Sequence, residues 1–402
     1  MRSLSRLSSL LLALLLLADA SSPASARAED NGPGFFLQGG LVTSIVVDPS
    51  SATTLFAATG RGLYRTVDGG QTWTQVSGAL GDRSVISIAL DPAAPARLVA
   101  GTDSGGLFRS GDGGAIWTAA ADSLPARYVA ALAVDPRQPG VVYAGSEAGR
   151  LYRSADTGAT WAELTRPLPD IAITCITVDS ESRDSLWVGT NGMGLFHSTD
   201  GGTTWPTAHR ALTRGTVWNV TLDPVSPRTI YAGTHDGLFR SVDGGETFKR
   251  AHYGLHSLNV LALAIDPSNA STIYAGTAGG IYKSIDGSAT WNILHPDVYV
   301  SALVLDPHSP RTLFAGTQLG LLRSDDAGGQ WVAVPLASQP PPTRARRRAL
   351  PLGTRTFKTV ALPPIPILRR GLDAMPRPVV QAETGVVRWH SGGTDPRDSR
   401  RP

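Results

Sequence analysis

Ser241 to Phe248 reads SVDGGETF. Asp243, set among small residues, is of a type that serves as a general acid, as a metal ligand or as the anchor of a turn. The octet recurs along the chain as TVDGGQTW (66–73), SGDGGAIW (110–117), SADTGATW (154–161), STDGGTTW (198–205), SIDGSATW (284–291) and SDDAGGQW (324–331). Its carboxylates are Asp68, Asp112, Asp156, Asp200, Asp243, Asp286 and Asp326, spaced by 44, 44, 44, 43, 43 and 40 residues. A period of this length is the sign of an array built from one supersecondary unit.

Each octet carries the same flanks. An apolar run ends in Asp, usually Asp-Pro (SIVVDP, SIALDP, ALAVDP), and is followed by runs of the kind LFAAT or IYAGT and then GLYRT or GLFRS. A short exit run such as TWTQV closes the unit. These segments are short, rich in Val, Ile, Tyr, Phe and Thr, and separated by Gly, Pro, Asp and Ser, as strands joined by tight turns are. No window sustains the i, i+3, i+4 spacing of a helix. Four strands in about 43 residues are the dimensions of a propeller blade. The sequence therefore predicts an all-β, seven-bladed β-propeller of four-stranded antiparallel blades over residues 41–337. Every repeat starts on its innermost strand and ends on its outermost, so no strand need be borrowed to close the circle.

A catalytic or metal site needs one unusual constellation, whereas this carboxylate is present in every repeat. Asp and Ser/Thr side chains accept bonds from nearby backbone N–H groups and fix turns. Glycine supplies the positive φ where the chain reverses. The aromatic residue at the end of the octet (Trp73, Trp117, Trp161, Trp205, Phe248, Trp291, Trp331) is then expected to fold into the blade, where an indole removes about 200 Å² from water. All seven positions are read as framework. The basic residue just before each octet (Arg65, Arg109, Arg153, His197, Arg240, Lys283, Arg323) is read the same way. The single Cys175 aligns with Ser44, Ser87, Ala131, Asn219, Ala262 and Ala302, a position for small residues, and is read as core.

The octet resembles the Asp box, or bacterial neuraminidase repeat, of pattern Ser/Thr-x-Asp-x-Gly-x-x-Trp; here Phe248 departs from it at the aromatic and Ser288 at the Gly. The resemblance implies that each box links the third and fourth strands of its blade. Sialidases with this box hold a carboxylate with three arginines, a role for which Arg83, Arg127 and Arg214 are placed, but the Phe-Arg-Ile-Pro motif of that family is missing. Xyloglucan-type glycosidases share the box and use paired carboxylates between two propellers; one propeller is read here. A single exported ring is also similar to the photosystem assembly factor group, which binds protein clients.

If the repeated residues are scaffold, function lies in residues that differ between repeats. These gather on the face opposite the boxes, in the turns between strands two and three and in the blade connections. They include Arg83, Arg127, Tyr128, Arg214, Trp218, His235, His256 and Tyr299 as candidate ligand contacts. Asp103, Glu147, Asp170 and Asp297 are the acids a glycoside hydrolase would use. His235, His252, His256 and His295 lack the spacing of metal ligands, and neither metal nor cofactor is expected. The expected role is that of a non-catalytic binding or scaffold protein for a protein or glycan ligand. The alternative is a sialidase-like or xyloglucanase-like glycoside hydrolase.

Residues 1–26 carry Arg2 and Arg6, an apolar stretch from Leu10 to Ala18 and small residues after it, which reads as a cleaved signal peptide and an exported, monomeric protein. Residues 27–40 read as a linker. No later stretch has the roughly 18 apolar residues of a membrane span. One Cys in 402 residues excludes an intrachain disulfide. The net charge is +3, but residues 341–402 hold 13 Arg or Lys against 4 Asp or Glu, or +9, leaving −6 for the rest. The total charge is thus no argument for nucleic acid as a partner. The Pro- and Arg-rich segment 338–402 reads as a disordered tail, suited to contact an anionic surface.

Overall fold

The computed structural model describes residues 40–336 except 77, 121–127, 165–167, 183, 206–211, 213 and 214. The signal peptide, nearly all of the linker and the tail lie outside the described residues. Seven antiparallel sheets follow one another along the chain, each with its strands in sequence order. Six have four strands. Blade four has three among the described residues, Ile173–Val178, Leu186–Thr190 and Leu195–Ser198. The first strands, from Val42–Val47 to Val300–Asp306, each pack against the first strand of the next blade, and the seventh packs against the first. The ring is closed, and every blade is contiguous in sequence.

Both faces of a blade are covered by neighbours, which explains the composition of the second strands. Leu55–Thr59, Val142–Ser146 and Ile230–Thr234 are buried at every residue, and a strand covered on both faces reads as a continuous apolar run without alternation. The core is accordingly divided into seven clusters, one at each blade interface. At the closing seam, Val42, Tyr64 and Trp73 of blade one meet Phe314, Leu321 and Leu336 of blade seven.

The ring narrows at the first strands, and every one of them has a register shift after its first residue. The residue after the shift lies opposite a small residue on strand two: Cys175 opposite Gly189, Ser87 opposite Gly101, Ala302 opposite Gly316. A Cβ on Gly189 would lie 2.5 Å from Cys175 Sγ and 2.8 Å from the Val217 carbonyl of the next blade. Burial pushes the Cys175 thiol up to about 12, which fits an inert core residue.

Each box is a closed local circuit. Ser241 Oγ donates to Asp243 Oδ1 (2.7 Å) and accepts the Gly245 N–H (2.9 Å). Asp243 accepts the Thr247 N–H on Oδ1 (3.0 Å) and the Thr247 hydroxyl on Oδ2 (2.6 Å). The Trp73, Trp117, Trp161 and Trp205 indoles donate to the carbonyl of Gly70, Gly114, Gly158 and Gly202 in their own boxes. Trp291 turns instead to the Ala251 carbonyl, at 2.8 Å. The hydroxyl donors Thr72, Thr204 and Thr290, with nearby N–H groups, hold Asp68, Asp200 and Asp286 at about 2. Asp156 also lies at about 2, although burial opposes its donors. The Ser241 and Thr247 hydroxyls hold Asp243 lower still.

The basic residue before the box clamps blade six to blade seven and blade seven to blade one. It lies across the strand pair from an aromatic residue in six blades, as Arg65 from Phe56 and Arg323 from Phe314. Arg65, Arg240, Lys283 and Arg323 stand 5.1–5.8 Å over the rings of Phe56, Tyr231, Tyr274 and Phe314, and His197 stacks on Trp187 at 3.8 Å. Arg323 then donates to Gly69 O of the blade-one box (2.7 Å), and Lys283 to Ala327 O of the blade-seven box (3.2 Å). The aromatic edges meet the same boxes: a Cβ at Gly114 would lie 2.6 Å from Phe56, and one at Gly70 2.6 Å from Phe314. The second box glycine leaves room for the neighbouring ring.

Candidate binding face

The face opposite the boxes is assembled from turns that the strand-two threonines hold in shape. Thr59, Thr102, Thr190, Thr234, Thr277 and Thr317 end strand two, and each donates its hydroxyl to a glycine carbonyl across the turn at 2.7–3.0 Å. The same oxygen in Thr59, Thr102 and Thr234 accepts the N–H of Arg61, Gly105 and Asp236. The turns are also tied to the blade connections, since Asp103, Asn191, His235 and Gln318 donate their N–H groups to Ser84, Ala172, Thr216 and Tyr299. The exposed side chains of these turns thus stand on a fixed backbone. The Thr that ends the second run is present in six of the seven repeats, with Ser146 in the third, yet its part in shaping this face is not evident until the turns are seen.

The candidate residues distribute unevenly over it. Arg83 lies 5.5 Å over the Phe108 ring and donates to Ala79 O at 3.4 Å. Arg127 and Arg214 lie outside the described residues, so the three arginines are not seen as a set. Tyr128 is half-buried, and its hydroxyl is pushed up by that burial and by the charges of Glu147 and Asp103. Those two acids are exposed and share the electrostatic environment of Tyr128 at blades two and three. Asp170 is exposed and acts on Arg150, which is paired with Glu163. Asp297 is exposed, with φ 58° and its N–H on Gly279 O, at the entry to blade seven.

Three aromatic residues mark the inner part of this face. Trp218 occupies the shifted position of its first strand, where other blades carry Thr43, Thr174 or Ser301; it is half-buried, and its Nε1 is buried without a hydrogen-bond partner among the described residues. Tyr299 is half-buried, burial pushes its hydroxyl to about 12, and its N–H is held by Gln318 Oε1 at 2.7 Å. His256 is exposed and meets the Tyr282 ring edge-on at 6.3 Å. His235 is exposed on its turn, while the neighbouring His252 is held below its ordinary pKa by burial and presses against the Gly237 turn. Among the described residues no three His, Cys, Asp or Glu side chains gather as metal ligands. No described helix is long and apolar enough to cross a membrane.

Solved structures share this architecture. The GH74 enzyme of Niastella koreensis superposes with a TM-score of 0.65 at 19% identity, over 72% of this chain and 53% of that one. The GH74 xyloglucanase of Xanthomonas campestris gives 0.63 at 22%, over 72% and 52%. YCF48 bound to a D1 peptide gives 0.55 at 19%, over 71% and 93%. The chain spans about half the length of the GH74 enzymes it matches, and nearly all of YCF48 is covered. At these identities the likeness shows the propeller fold. Comparison with protein-family models finds no match, and comparison with curated proteins finds none.

Proposed function

We propose that the protein is an exported, monomeric, non-catalytic binding propeller whose Asp boxes are framework and whose ligand, a protein or a glycan, is taken on the face opposite them. The observation that carries this reading is the bonding of Asp68, Asp156, Asp200, Asp243 and Asp286 into their own hairpins. The residues that distinguish one blade from another, Tyr128, Trp218 and Tyr299 among them, lie at the other end of the ring. A half-buried aromatic on a rigid frame is an economical ligand anchor, since little side-chain freedom is lost on binding. A neighbour of single-ring size, YCF48, is seen with a peptide, which supports a peptide or protein ligand here.

A second reading, glycoside hydrolysis on the same face, is favoured by the GH74 neighbours and by the exposed acids Asp103 and Glu147, both of which act on Tyr128. One experiment separates them. The protein is assayed for turnover of xyloglucan and sialyl substrates and for binding to peptide and glycan arrays, with Trp218→Ala, Tyr299→Ala, Asp103→Ala and Glu147→Ala in parallel. The binding reading expects no turnover and an array signal reduced about tenfold by Trp218→Ala or Tyr299→Ala. Turnover abolished by either acid substitution establishes the hydrolase instead.

A further inference from the structure

Blade two breaks the repeat at several positions that meet in one place, on the box face and away from the binding face above. Where the other six blades set an aromatic residue across from the basic one, blade two has Val99 across from Arg109. Arg109 therefore has no ring to lie over, and it is exposed where its six equivalents are half-buried. Arg97, just before strand two, replaces the Thr, Ser or Val of every other blade. Gly111 is the one box residue of its position without a side chain, and a Cβ there would meet nothing within 4 Å. Ile116 replaces the Thr whose hydroxyl satisfies Oδ2 in five other boxes, so the bonds to Asp112 all fall on Oδ1.

The consequence is a cleft of about 620 Å³ between blades two and three, lined by Arg97, Arg109, Gly111, Asp112 and Ile116 with residues of the blade-three box, among them Asp156, whose two oxygens are taken by Ser154 and Thr160. Missing side chains open it, and it is within the range of small-ligand sites. Among the described residues neither guanidinium forms an ion pair, and Asp112 Oδ2 accepts no hydrogen bond. Two forked donors call for a carboxylate or phosphate. The free Oδ2 narrows the choice: it repels an anion that only accepts, such as sulfate, and welcomes one that also carries hydroxyl donors. Ile116, 65% exposed at the rim, offers apolar surface to a ring face.

We propose that this cleft is a second binding site, for a hydroxylated carboxylate of the sugar-acid type. Arg97 and Arg109 hold the carboxylate and Asp112 Oδ2 accepts from a ring hydroxyl. The group is either a free sugar acid or a uronate residue of a polysaccharide.

Titration calorimetry on the intact protein tests the assignment with galacturonate, trigalacturonate, trigalacturonate methyl ester and inorganic sulfate. The site expects saturable binding of an acid form, a loss of about tenfold or more on esterification, and weaker binding of sulfate. Tighter binding of the trimer than the monomer identifies a polysaccharide source, and equal binding a free acid. Arg97→Thr and Arg109→Ala should each reduce binding about tenfold or more with an unchanged thermal midpoint, since both side chains are exposed and form no ion pair among the described residues. Trp218→Ala, on the other face, should leave it unchanged. Absence of saturable binding to roughly 10 mM ligand, or binding indifferent to both cleft substitutions, overturns the assignment.

Discussion

At the scale of single residues, the box shows how one carboxylate becomes structural. In five of the seven boxes both oxygens are occupied, by the Ser or Thr two residues earlier and by donors from the next four residues, and the ionised form is the one those donors favour. The sign of the pH dependence follows. In an unfolded chain Asp titrates near 3.9, and in the fold Asp68, Asp156, Asp200 and Asp286 are held at about 2. The unfolded chain binds protons first as pH falls, so the stabilisation is complete above the unfolded value and disappears on the way down to the folded one. The urea midpoint should therefore be flat near neutral pH and fall most steeply between about pH 4 and pH 2. An Asp200→Asn variant should start lower and fall less; a variant curve parallel to the parent's would contradict the account. Blade two supplies a second check. Ile116→Thr gives Asp112 the hydroxyl that other boxes possess and removes a side chain that packs little, so the thermal midpoint should rise. In calorimetry the same change should weaken sugar-acid binding, because it engages the free Oδ2.

At the scale of strands and their pairings, adjacent blades are joined by an aromatic ring, a cation and a glycine taken from three different segments. Each was visible in the sequence as a column of the repeat: the aromatic in LFAAT or IYAGT, the cation in GLYRT, the second glycine of the box. That the basic column was framework could be read from its recurrence. That the ring faces the box of the following blade could not, since it depends on how consecutive sheets stack. The break at Val99 is hidden in the sequence for the same reason, because a Val in a strand looks ordinary until its six counterparts are known to face the neighbouring box. Two substitutions measure the joint. Gly114→Ala places a Cβ 2.6 Å from Phe56 at a φ of +82°, so steric overlap adds to left-handed strain; a cost of about 2–4 kcal/mol is expected in urea unfolding. With Phe56→Val in the background the added cost of Gly114→Ala should drop to the backbone part, about 1–2 kcal/mol. Equal costs in both backgrounds would mean that the ring and the glycine do not interact.

At the scale of the whole molecule, the question is whether a ring closed in phase is weak where its ends meet. No strand crosses the seam, and the first and last blades hold each other only by side chains. Yet the seam has what the other interfaces have: an apolar cluster of Val42, Tyr64, Trp73, Phe314, Leu321 and Leu336, the Arg323 clamp to Gly69, and a hydroxyl bond at the inner strands, Ser301 Oγ to Val42 O at 2.5 Å. The corresponding bond between blades one and two runs from Thr43 Oγ1 to Val85 O at 2.7 Å. Burial of comparable surfaces with comparable bonds should give comparable resistance to opening. Removal of the hydroxyl by Ser301→Ala or by Thr43→Val should accordingly cost a similar amount, about 0.5–1.5 kcal/mol each in urea unfolding. Amide exchange should be as slow in Val42–Val47 and Val300–Asp306 as in the other first strands. Exchange at the seam faster by orders of magnitude, with Ser301→Ala several times costlier than Thr43→Val, would show that the ring opens there first and that its unfolding is not a single cooperative step.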